Sequence, residues 1–149
     1  MSKLLVISLA FIAGGLLAFQ GAVNSELGKT LSHPLQAALI SFSIGVIGLS
    51  AVIVTSTAGF PSLSQLTNIP TRLWIGGLLG ATFITATIVL IPKVGVANML
   101  VAVVAGQVVA SLFVDHFGLF GVLQQSVSST RLIGAGLVVS GLFVFTKSL

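Results

Sequence analysis

Residues 4–23 read LLVISLAFIAGGLLAFQGAV, twenty positions without a single charge. An α-helix rises about 1.5 Å per residue, so this stretch reaches about 30 Å, the thickness of a bilayer's hydrocarbon core. Lys3 ahead of the run and the small residues Ala18 and Ala22 give it some likeness to a secretory signal peptide. Four further runs of the same kind follow, which favours an uncleaved first helix.

Outward from that run, a polar tail over residues 24–33 contains Glu26, Gly28 and Lys29, and Pro34 suits a first helical position with Ser32 or His33 as cap. Residues 58–71, with Gly59, Pro61, Ser62, Ser64, Asn68 and Pro70, carry turn chemistry. The link Pro92-Lys93-Val94-Gly95 predicts a tight hairpin between antiparallel neighbours. Gly118 offers a left-handed helix stop, and Ser129 or Thr130 a cap for the last helix, after a Ser- and Gln-rich loop. The expectation is one transmembrane domain over residues 1–149, all α, with helices at about 4–27, 35–57, 72–91, 96–115 and 131–147.

Composition agrees. Only 5% of the 149 residues are charged, against about a quarter in a soluble domain, so no water-facing surface can be built. The six Lys and Arg are scattered singly, which argues against nucleic acid as a partner. No cysteine is present, and two acids with two histidines show no metal-ligand spacing, so disulfides, metals, cofactors and an enzymatic nucleophile are not expected. The glycines lie within apolar runs and form no phosphate-cradling loop.

Five is an odd number, which sets the two ends of the chain on opposite sides of the membrane. One side then holds Lys3, Arg72 and Arg131, and the other Lys29, Lys93 and Lys147. Orientation follows the Lys and Arg imbalance, and here there is none. Insertion both ways, with oppositely inserted copies pairing as an antiparallel homodimer, is the expectation; such a pair makes an inverted ten-helix unit, equivalent to the inverted repeats of many transporters. The alternative is that helix hydrophobicity or the amino terminus settles one orientation.

Small residues inside the runs allow helix backbones to approach: Gly14 and Gly15, the pair Gly76 and Gly80, then Gly136 and Gly141. Polar residues are few. Gln107, Ser111 and Asp115 recur every fourth position and share one face, as do Gln20 and Asn24, while Asn98 opens the fourth run. A buried amide must face protein or a wet cavity, so these residues either bond across helices or line a permeation path. Thr82 and Thr85 suit bonds to their own helix's carbonyls. Asp115 and His116 stand near Arg131, either as an interfacial ion pair or as a coupling or gating site, with Glu26 at the opposite interface beside Lys29 and His33.

These landmarks taken together resemble the small five-helix, YdcZ-like branch of the drug/metabolite transporter superfamily. The resemblance rests on Gln20-Gly21-Ala22-Val23-Asn24 with Leu27-Gly28, Pro34 with Phe42 and Gly45, Gly76-Gly77 with Gly80, and Pro92 with Gly95. Its most specific part is Gly106-Gln107, Ser111 and Asp115-His116-Phe117-Gly118, with Gly134 and Gly141 completing it. It implies a multi-pass protein of the bacterial inner membrane that moves a small organic solute, often outward. It also implies Gln20, Asn24, Gln107 and Asp115 as pathway residues. A non-transporting scaffold, or a half-transporter needing a separate partner chain, are the alternatives.

Overall fold

The computed structural model describes residues 2–147. Among them are six α-helices and two short 3-10 turns, with no strand. Five helical segments are long and apolar enough to cross a membrane: Lys3–Thr30, Pro34–Thr55, Thr71–Val94, Val96–Phe117 and Ser129–Thr146. Phe11, Phe19, Leu4 and Val144 are each at least 75% exposed. An exterior of that kind is suited to lipid and not to water.

The chain divides into two compact units, Met1–Lys93 and Val94–Leu149. In the first, helix α1 (Lys3–Thr30) starts where the Ser2 hydroxyl accepts from the Leu5 N–H at 3.3 Å. Its 28 residues span about 42 Å, roughly two turns more than the hydrocarbon core is thick. The excess accommodates Glu26 and Lys29 beyond the apolar run. A three-residue turn leads to α2 (Pro34–Thr55), with Pro34 at its first position and His33 Nδ1 accepting from the Leu35 N–H at 3.2 Å. So short a turn makes α1 and α2 adjacent, antiparallel partners.

Residues 58–71 are more ordered than turn chemistry alone suggests. A short helix, α3 (Leu63–Thr67), forms there because Ser62 and Gln65 satisfy each other's backbone N–H groups in a capping box, at 2.7 and 3.3 Å. A 3-10 turn (Thr71–Trp74) then leads into α4 (Ile75–Val94). This helix runs through Pro92 instead of ending at Ile91. Proline so near a C-terminus removes only one intrahelical bond, the one to the Ile88 carbonyl, and Gly95 at φ 81° makes the break three residues later.

The second unit holds α5 (Val96–Phe117) and α6 (Ser129–Thr146), packed side by side. Helix α5 stops at Gly118, whose left-handed backbone (φ 58°) returns its N–H to the Asp115 carbonyl at 3.3 Å. A second 3-10 turn, Leu119–Gly121, follows. The cap of α6 is Ser128, one residue before the Ser129 or Thr130 expected: its extended backbone lets the hydroxyl accept from the Arg131 N–H at 3.3 Å.

Within the first unit the helices meet at small residues. Ala37 and Ala38 of α2 are buried with Ile84 and Ile88 of α4, flanked by Leu27, Leu31 and Phe83. A Cβ on Gly21 would lie 2.9 Å from Ile91 Cδ1, and one on Gly28 would collide with Ile88 Cγ2. A Cβ on Gly80 would make ordinary contact with the Phe42 ring at 3.5 Å, whereas one on Gly14, Gly15, Gly76, Gly136 or Gly141 would meet only open space in the single chain.

These distances predict opposite outcomes for two alanine substitutions. Ile88 is buried and stiff at χ1, so Gly28→Ala lowers stability by about 1–3 kcal/mol through overpacking. A Cβ on Gly77 would meet nothing within 4 Å outside its own helix backbone, so Gly77→Ala raises helix stability by up to about 1 kcal/mol. Thermal unfolding of both variants in detergent checks the pair.

Candidate functional site

Polar side chains inside an apolar helix have two fates, and both occur here. Thr82 and Thr85 donate to the carbonyls four residues back, Leu78 and Ala81, at 2.9 and 2.8 Å. Thr87 does the same to Phe83 at 2.6 Å, Asn98 to Val94 at 2.8 Å, and Ser111 to Val108 three residues back at 2.9 Å. Their polarity is largely spent on their own helix.

Gln20 and Asn24 differ. Gln20 lines a cleft of about 240 Å³ in the first unit, together with Ser41, Phe42, Gly45, Val46, Leu49 and Ile84. One turn further along the same face of α1, Asn24 is only 4% exposed and its Nδ2 has no hydrogen-bond partner. A buried donor without a partner costs about 1–3 kcal/mol, which a helix retains only where something else depends on the group. Ser25 beside it is also buried. A larger groove of about 800 Å³ lies against α4, but its lining of Leu35, Leu78, Ala81, Val89, Leu90 and neighbours is apolar apart from the self-satisfied Thr82 and Thr85.

In the second unit Gln107 is exposed on α5, and so is Ser111. The end of their stripe is occupied. Arg131 Nη2 meets Asp115 Oδ2 at 2.5 Å, with about a third of each side chain exposed. Around this pair the loop after Gly121 is drawn onto the end of α5. The Gln125 N–H donates to the Asp115 carbonyl at 2.8 Å, Gln124 Nε2 to the His116 carbonyl at 2.9 Å, and Arg131 Nη1 to the Gln125 carbonyl at 3.4 Å. His116 Nδ1 accepts from the Val127 N–H at 3.4 Å, and its ring stands edge-on to Phe117. Asp115, His116 and Arg131 are thus brought together, whereas Glu26 is exposed at the end of α1.

Three contributors escaped sequence reading. Ser41 gave no signal beyond a lone hydroxyl in an apolar run. Gln124 and Gln125 stood in a loop noted only for its composition, and no spacing rule ties them to the carbonyls of α5. Phe42 was visible, though only as a landmark without a role.

The ion pair predicts a local effect. Arg131→Met removes the counterion of Asp115 and the bond to the Gln125 carbonyl, so amide hydrogen exchange over residues 122–128 accelerates by about tenfold. A partly exposed pair is worth no more than about 1 kcal/mol, so global unfolding moves only slightly. Peptide-resolved exchange measures the first and a thermal melt the second.

Comparison with known proteins agrees with this architecture. Residues 5–144 match the family described as "Putative inner membrane exporter, YdcZ". The inner membrane protein YdcZ of Escherichia coli (strain K12) is 28% identical over 149 residues, covering 99% of this chain and 98% of that protein. No solved structure shows a significant match. Five apolar spans and a match over almost the whole chain lead to one conclusion: the protein belongs to the YdcZ family of drug/metabolite transporters, multi-pass proteins of the bacterial inner membrane.

Proposed function

We propose that the protein exports a small organic solute by alternating access, working as an antiparallel homodimer of oppositely inserted chains. The observation that carries the dimer is charge parity. With five spans, Lys3, Arg72 and Arg131 fall on one side, and Lys29, Lys93 and Lys147 on the other. Insertion machinery that reads Lys and Arg receives no instruction from three against three. Two such chains supply the inverted repeat on which alternating access is built, and the exporter description of the family supports transport.

Each chain contributes polar groups to the solute path from Gln20, Asn24, Asn98, Gln107 and Ser111. Gln20 and Asn24 carry the most weight, because Gln20 lines a cleft and Asn24 keeps an unsatisfied donor. The Asp115–Arg131 pair, with the loop it holds, serves as a gate at one end of the path.

Topology and transport are tested separately. A reporter active only in the cytoplasm and one active only in the periplasm, each fused after Leu149, both give signal; signal from one alone overturns dual topology. Arg72→Gln changes the count to two against three and shifts the population toward cytoplasmic C-termini. Flux in proteoliposomes tests transport, and absence of flux across a broad solute panel favours a scaffold.

A further inference from the structure

We infer that the solute is an uncharged small molecule that carries an amide, carbonyl or hydroxyl group, and that the Gln20 cleft is where its polar end is recognised. This deepens the transport reading and rests on it. The lining combines one carboxamide (Gln20), one hydroxyl (Ser41), one aromatic ring (Phe42) and aliphatic surface (Val46, Leu49), with no charged side chain. A carboxamide both donates and accepts, so it matches neutral groups of the same kind.

An ion has no counterpart there. The chain's two acids are Glu26 and Asp115. The first lies six residues beyond Gln20, exposed near the end of α1, and the second is bound to Arg131. Desolvating an ion without a counterion costs far more than desolvating an amide that gains hydrogen bonds. None of the chain's six Lys and Arg lines the cleft either, so the lining discriminates against ammonium and carboxylate solutes alike.

The cleft of one chain is sized for the polar end of a solute. The cleft holds about 240 Å³, the share of roughly eight water molecules at about 30 Å³ each. That is below the range of about 300–1,000 Å³ typical of drug-sized ligands. Asn24, one turn further along α1, lies outside the lining, its unpartnered Nδ2 buried behind the cleft's end of the helix and not open to a solute.

Three probes of similar size test this on the purified full-length protein: benzamide, benzoate and benzylammonium. Binding is read as the rise in thermal midpoint with probe concentration, which needs no transport and no knowledge of orientation. Benzamide raises the midpoint and the two ions do not. Gln20 is exposed, so Gln20→Leu leaves the midpoint without probe near its starting value. It weakens benzamide by about tenfold, the worth of one hydrogen bond, whereas Gln20→Asn retains part of the response. Stabilisation by either ion at the benzamide concentration overturns the inference, as does a full benzamide response in Gln20→Leu, which marks an apolar or lipid-like occupant. No response to benzamide also overturns it, while the transport reading is decided by flux alone.

Discussion

Hydrocarbon offers no hydrogen bonds, and that constraint shapes every part of this protein. Each backbone N–H and C=O in the core must be satisfied within its own segment, which leaves helices as the available solution for a chain of this pattern. The ends of the helices are where exceptions become possible, and the sequence places capping groups there. Ser2, His33, Ser62 and Ser128 each accept from an otherwise unpaired N–H, and Gly118 returns its own N–H to α5. The same constraint turns the hydroxyls of Thr82, Thr85, Thr87 and Ser111 back onto their own helices.

Lipid also removes the drive that packs helices in water, since tails are as apolar as leucine. What remains is close contact. In the first unit it is made where Gly21 and Gly28 of α1 leave room for Ile91 and Ile88 of α4, and where Ala37 and Ala38 complete the cluster. These residues lie on the half of α1 that also carries Asn24 and Ser25. Tight packing and the unsatisfied amide therefore share one stretch of helix, and a rigid backbone holds the polar groups at defined positions.

The helices were legible from the sequence because hydropathy over some twenty residues is a strong signal, and twenty charge-free positions admit few other readings. Ends were less legible. Pro92 reads as a stop yet lies inside α4, because the cost of one lost bond near a terminus is small. Ser128, Ser129 and Thr130 are chemically equivalent caps, and only backbone conformation chooses among them. The site was legible by residue type and not by role. Gln20, Asn24 and Ser111 all stood out as polar, but whether a polar group is spent on its own helix depends on a rotamer that spacing does not encode. Among glycines, recurrence pointed to Gly14, Gly15, Gly76, Gly136 and Gly141, while the closest approaches in the single chain are at Gly21 and Gly28.

Charge parity goes deeper than the basic residues alone. The positive-inside rule counts Lys and Arg and gives acids little weight, so an acid that neutralised a base on one side only would make the balance depend on the counting rule. In the five-span arrangement Asp115 falls with Arg131 on one side, and Glu26 with Lys29 on the other. Each side then carries three bases and one acid, hence two net charges, which together account for the chain's formal +4. The histidines divide as well, His116 to the first side and His33 to the second. Counting the histidines with the bases leaves the sides equal. A chain whose orientation is set by charge has reason to be asymmetric in at least one of these counts. Symmetry in all of them is what the proposed insertion both ways would require of the sequence.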